Sequence, residues 1–374
     1  MSAPLRVARP GRGQGGFTLT ELMVTMALGS AVTVAILGAM TQFTQAFRNQ
    51  MRLAEAQQTG RAAAEVIGRD LRMAGYQVSS GLTVALDTES SVARAAPLLL
   101  VTNGTSANDF ADEITVAYGT ASAQTTIPTG AGPYTSATTT VVSSAGFAVG
   151  DLVVASNAGV GCVMKITSLT ATTLVHNSGG VGSPWNSSAN NACAALSAVW
   201  ANGSTMISKL SMRSYRVRPN DARGVLEVSP SGGIVSGDWT ELADGIVDFQ
   251  VALQVREPGD TTDLDGDGDA TLDWYAGNAM ATALSSAPLP APQKAPMSLH
   301  ISIVTRGNLD NPVVGETTPG LCGTPINNNP LGDHCGVAIA SVTNTASRYY
   351  RAALLRTATI GFDLRNLGTG VGTP

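Results

Sequence analysis

Hydrophobic and polar positions divide the chain into two unequal regions. From Leu22 to Met40 nearly every side chain is apolar or small and none is charged. As a helix rising about 1.5 Å per residue, this run spans roughly 30 Å, the thickness of a bilayer's hydrocarbon core. Gly29 and Gly38 lie inside it, too far apart for a GxxxG motif. From Thr41 the pattern becomes amphipathic. Phe43, Phe47, Met51, Ala54, Ala62, Val66, Ile67 and Leu71 recur mostly at steps of three and four, with Arg48, Arg52, Arg61, Arg69 and Arg72 between them. The spacing predicts one helix from about Thr18 to Ala74, stopped by Gly75. Its first half is expected in a membrane. Its second half is expected to lay the Phe/Met/Leu stripe on a globular domain.

Beyond the helix the period shortens to that of strands. Runs at 97–101, 114–118, 138–142, 147–155, 162–167, 173–176, 211–217, 224–228, 239–251, 297–305 and 349–364 carry β-type patterns between turn signals. Residues 77–96 show no clear period. The Thr/Ala/Gly-rich stretch 119–132 and the polar stretch 177–191 read as loops. About ten to twelve short strands after one long helix predict an α+β fold, with the helix packed on antiparallel sheet.

Composition supports this division. Charged residues make up 13% of 374, and Gly, Ser, Thr and Ala abound, as in β-rich extracytoplasmic proteins. The net charge is −5, and the first 16 residues hold Arg6, Arg9 and Arg12 without an acid. Basic residues before the apolar run place the N-terminus in the cytoplasm and send the rest across. Without that leader the chain keeps 19 basic against 27 acidic residues, which argues against nucleic acid as a partner. The four cysteines, Cys162, Cys193, Cys322 and Cys335, fall into two pairs. In an exported domain they predict two disulfides, Cys162–Cys193 and Cys322–Cys335, among three possible connectivities. Free thiols in a reducing compartment are the alternative.

Site chemistry is concentrated in one acidic stretch. Asp263, Asp265, Asp267, Asp269 and Asp273 are interleaved with Gly266 and Gly268. Such a loop supplies the oxygen ligands Ca²⁺ takes. In an EF-hand register begun at Asp263 the twelfth position is Trp274 rather than Glu, so a single calcium loop between strands fits better than a true EF-hand. A solvated acidic turn is the competing reading. Nucleophile elbow, P-loop, HExxH and dinucleotide fingerprints are lacking, so no enzyme is expected. His176, His300 and His334 stand far apart and read as core or surface histidines.

Gly15-Gly16-Phe17-Thr18-Leu19-Thr20-Glu21, ahead of the apolar run, resembles the processing site and membrane helix of type IV prepilins. The resemblance implies cleavage between Gly16 and Phe17, N-methylation of Phe17 by the prepilin peptidase/methyltransferase, and retention of the apolar run. A secretory signal has the opposite order, with its apolar core before the cut. Glu21 at the membrane edge costs on the order of 2–3 kcal/mol if buried as a charge. The family's glutamate at this position pairs with the α-amine of the next subunit, and Glu21 matches it.

Further blocks resemble minor pilins of the PilW family: DLRMAGY at 70–76, FAVGDLVVAS from 147, CVMKITSL from 162, ELADGIVDFQV at 241–251 and RAALLRTATIGFDLRN from 351. They imply a type IV pilin-like α+β fold with large β-rich insertions. The expected organisation is a leader at 1–16, a pilin helix at 17–75 with its transmembrane part at about 17–40, and a periplasmic β-rich domain at 76–374. The expected role is to join other minor pilins and the major pilin in a complex that primes pilus assembly near the tip, supporting motility and adhesion. The chain would sit in the inner membrane by a single pass before entering the fibre. The alternatives are a J-type minor pseudopilin of a type II secretion system and a pilus-borne adhesin.

Overall fold

The computed structural model describes residues 16–76, 83–86, 99–102, 111–130, 137–157, 160–177, 186, 205–218, 224–232, 237–256, 261, 269, 271–276, 295–306 and 355–363. Among them the order is α1 (Leu19–Met73), β1 (Thr83–Leu86), β2 (Leu99–Thr102), β3 (Glu113–Thr126), β4 (Thr138–Thr140), β5 (Leu152–Asn157), β6 (Val160–Lys165), β7 (Ser168–Thr170), β8 (Thr173–Val175), β9 (Met206–Val217), β10 (Val225–Ser229), β11 (Thr240–Asp244), β12 (Ile246–Arg256), β13 (Leu272–Ala276), β14 (Ala295–Arg306) and β15 (Leu355–Asp363). The fold is α+β, with one long helix and mainly antiparallel sheets. The chain divides into two compact units, Met1–Arg52 and Leu53–Pro374.

In the first unit the helical segment is uncovered. Phe17, Leu19, Met26, Val34 and Phe43 are all exposed. Threonine and serine hydroxyls in this stretch bond back to carbonyls three or four residues earlier, as Ser30 does to Ala27 and Thr33 to Gly29. Each hydroxyl is thereby satisfied within the helix, which lowers its cost in an apolar surrounding.

The second unit is built around β9. One edge of β9 pairs with β3, and the other with β5 through its first half and β10 through its second. The sheet runs β1-β6-β5-β9-β10-β11, with β3 and β2 added beside β9. Its β1–β6 pair is parallel, a departure from the expected antiparallel pattern. A four-stranded sheet, β13-β12-β14-β15, and a small one, β4-β8-β7, complete the unit. Asp112 joins the large and the four-stranded sheets. Its N–H donates to Phe249 O at 2.7 Å and its carboxylate accepts from Val251 N–H at 2.8 Å. It docks on the part of β12 that β13, paired only with 252–256, leaves open.

Two cores result. In the main one Ile67 and Leu71 of α1 meet Tyr215 of β9, Phe249 and Leu253 of β12, and Ile301 of β14. A second core gathers Val141, Phe147, Val153, Met164, Leu174 and Ile207.

Several elements differ from the sequence reading. The helix bounds agree, and Gly75 takes φ 72° just past the end. The apolar stripe agrees only at its C-terminal end, where Ile67 and Leu71 are buried. Phe43, Phe47, Met51, Ala54 and Ala62 are exposed, while Ala56, Gly60, Ala63, Ala64, Ile67, Gly68 and Leu71 are buried. Small residues form most of the packed face, and at Gly68 the helix runs close to β15: a Cβ there would overlap the Phe362 ring. The stretch 119–132 is not all loop, since β3 runs to Thr126, with Ala123 and Thr125 buried. Its small side chains gave no strand signal, yet its backbone pairs with β9. Of the run at 147–155, only the part from Leu152 is strand, because Gly146 and Gly150 turn the chain with φ of 89° and 95°. The run at 239–251 is two strands in different sheets. Gly245, at φ 77°, moves the chain from β11 to β12.

Candidate functional site

Gly16 and Phe17 precede the helix in irregular, exposed backbone, and Phe17 is 84% accessible. The helix begins two residues later in a reciprocal cap. Glu21 N–H donates to Thr18 Oγ1 at 3.3 Å. In return Thr18 N–H and Oγ1–H donate to Glu21 Oε2 at 3.4 and 3.3 Å. Leu22 N–H donates to Thr18 O at 3.2 Å, the first turn of the helix. Thr18-x-x-Glu21 is thus a capping box, legible in sequence as T-x-x-E but not singled out above. Behind it runs a helix long and apolar enough, by length and composition, to cross a membrane, with its most apolar window wholly uncovered.

At the other end of α1 an ionic cluster around the buried Asp70 fastens the helix to the large sheet. Asp70 is 2% exposed. Its Oδ2 accepts from Tyr215 OH at 2.5 Å and from Arg213 at 3.2 Å, both on β9. Burial first, then the hydrogen bond to Asp70 and its charge, push the Tyr215 phenol far above its usual pKa, so it remains a neutral donor. Asp70 opens the DLRMAGY block, but the sequence reading assigned it no contact; an acid between Ile67 and Leu71 on a packing face was the available sign.

The acidic stretch is only partly visible. Asp263, Asp265 and Asp267 lie outside the described residues. Asp269 is exposed and accepts from the Thr271 hydroxyl and N–H at 2.7 and 3.0 Å, bonds that hold its carboxyl below the usual range. Asp273 is fully buried on β13 opposite Val255. Among the described residues no three His, Cys, Asp or Glu side chains converge as a metal site. Cys162 is buried on β6 and is not a free thiol; Cys193, Cys322 and Cys335 lie outside the described residues.

Both described histidines are packed. His176 is fully buried, with Nε2 at 3.1 Å from Thr139 Oγ1, and burial pushes its pKa down to about 4. His300 is half-buried with its ring 4.1 Å from that of Trp274, and burial lowers its pKa too. His334 lies outside the described residues.

Residues 11–37 match the family model described as the prokaryotic N-terminal methylation motif. The chain therefore carries a prepilin-type N-terminus. The match covers the proposed junction, the capping box and most of the apolar run. Among solved structures, a type IV-like pilin from Thermus thermophilus aligns at 9% identity over 85% of this chain and 98% of its own, with a TM-score of 0.33. No curated protein matches the chain in sequence.

Proposed function

We propose that this chain is a PilW-like minor pilin that joins other minor pilins and the major pilin in a complex priming type IV pilus assembly. The observation that carries the reading is the N-terminal arrangement. An exposed, non-helical Gly16-Phe17 junction within a methylation motif is followed at once by Glu21 and an uncovered apolar helix. In this reading residues 1–16 are the leader, about 17–40 span the inner membrane, and 76–374 lie in the periplasm. Cys162 pairs there with Cys193, and Cys322 with Cys335. An uncovered apolar helix leaves a bilayer only by packing on other apolar helices. Glu21, paired with the processed amine of a neighbouring subunit, sets the register of that packing.

The test is Glu21→Ala in the full chain. The variant is expected to be cleaved and held in the membrane fraction at wild-type level, yet to be missing from sheared surface filaments. Wild-type incorporation would refute the pairing. Deleting the whole chain is expected to abolish pili and twitching. If secretion of exoproteins is lost instead, with pili intact, the chain belongs to a type II secretion system.

A further inference from the structure

Phe43 and Phe47 are the anomaly of α1. They follow the apolar run, where a face packed on protein was expected, yet they are 75% and 62% exposed, as bare as Met40 inside the run. The helix carries no charge from Leu22 to Phe47, 26 residues bracketed by Glu21 and Arg48. At about 1.5 Å per residue that stretch is roughly 39 Å long. A hydrocarbon core is about 30 Å thick, and a bilayer with both headgroup layers about 40–45 Å. The uncharged helix is too long for the core alone. With a modest tilt it fits the core plus one headgroup layer. The hydroxyl pattern of the run also continues past it, since Thr41 and Thr44 donate to Gly38 O and Met40 O, each at 2.8 Å. Phe43 and Phe47, four residues apart, share one face. Helix side chains lean toward the N-terminus, so Phe47 and Arg48 reach back toward the bilayer.

We infer that residues 41–48 are an interfacial anchor whose partner is lipid. Before assembly, Phe43 and Phe47 lie in the periplasmic headgroup layer, and the exposed Arg48 meets lipid phosphate there. The inference rests on the membrane span proposed above and extends it by about two turns. Interfacial aromatic and basic residues set the depth and tilt of a spanning helix. An arginine just outside the core keeps its stem on apolar surface and its charge among the headgroups. Leaving the bilayer for a filament then means giving up these contacts as well as those of the apolar run.

The test reconstitutes the full chain in vesicles of phosphatidylglycerol and phosphatidylcholine, brominated either just below the headgroup or deep in the acyl chain. Bromine quenches only tryptophans that touch it, and the wild-type chain, with Trp185, Trp200, Trp239 and Trp274, sets the background. Val32→Trp reports on the middle of the apolar run and Phe47→Trp on the anchor. Val32→Trp is expected to be quenched most by deep bromine. Phe47→Trp is expected to be quenched most by shallow bromine, with blue-shifted emission. Adding Arg48→Glu is expected to weaken the shallow quenching of Phe47→Trp and to leave the deep quenching of Val32→Trp in place. A quenched Val32→Trp beside an unquenched Phe47→Trp with water-like emission overturns the anchor and leaves the span standing. An unquenched but blue-shifted Phe47→Trp means that another helix or protein surface covers this face, and overturns the anchor too. An unquenched Val32→Trp removes the span itself, and the anchor with it. Shallow quenching indifferent to Arg48→Glu overturns the phosphate contact.

Discussion

His176 shows how one side chain couples the second core to pH. It directly follows β8 with no exposed surface, and its pKa falls from the ordinary 6.5 to about 4 through burial, with hydrogen bonds to its own backbone and to Thr138 restoring part of the shift. The unfolded chain takes up the proton at higher pH than the folded one. Stability from this group is therefore complete above about pH 6.5, declines as pH falls toward 4, and levels off below it. The loss is on the order of 3 kcal/mol. Melting curves of the detergent-purified protein at pH 7.5 and 4 are expected to differ more for wild type than for His176→Gln, which keeps a polar group beside Thr139 but does not titrate. Equal pH dependence in the two would remove His176 from the account.

Element packing centres on the second half of α1. Asp70 ties it to β9 through Tyr215 and Arg213, and its C-terminal turn is pinned to β3, where Gly75 N–H donates to Ala117 O at 3.0 Å and Gly119 N–H to Tyr76 O at 2.6 Å. On β15 the helix approaches too closely for any side chain at Gly68. Arg72 extends over the same Phe362 ring, 5.3 Å from its centroid. In an exposed helix Gly→Ala would stabilise by about 1 kcal/mol. Here overpacking against a buried ring is larger, about 1–3 kcal/mol before that gain is subtracted. Gly68→Ala is accordingly expected to lower the denaturation midpoint. Gly68→Ala with Phe362→Leu should recover part of the loss, because the two sites share one contact. A more stable Gly68→Ala would mean that β15 moves away at little cost.

At the scale of the whole molecule we propose the acidic stretch as a calcium loop, on its sequence alone. It leads directly into β13, so an ion held at 263–269 would stiffen the entry to the four-stranded sheet. With Ca²⁺ at about a hundredfold over its Kd, binding to the folded state contributes about 2.7 kcal/mol. Millimolar Ca²⁺ is therefore expected to raise the melting temperature by several degrees, and Asp265→Asn with Asp267→Asn to abolish the rise. Calorimetry without bound metal, and an unchanged melting curve, would leave a solvated turn.

The sequence by itself determined the parts that depend on local chemistry. The 19–73 helix, its stop at Gly75, the apolar run and the N-terminal methylation motif were all legible, because periodicity, a left-handed glycine and a run without charge act within a few turns of chain. So was the α+β class, from one helical pattern followed by many short strand patterns. Tertiary structure alone decided which face of α1 is buried. Hydrophobicity favoured Phe43, Phe47 and Met51, which are exposed, whereas Ala56, Gly60, Ala63, Ala64 and Gly68 are buried, Gly68 against Phe362 of β15. It also decided that the run at 239–251 splits between two sheets, that plain Thr/Ser/Ala residues at 120–126 complete β3, and that Asp70 is an internal anchor. Each of these depends on a partner distant in sequence, which local pattern does not encode.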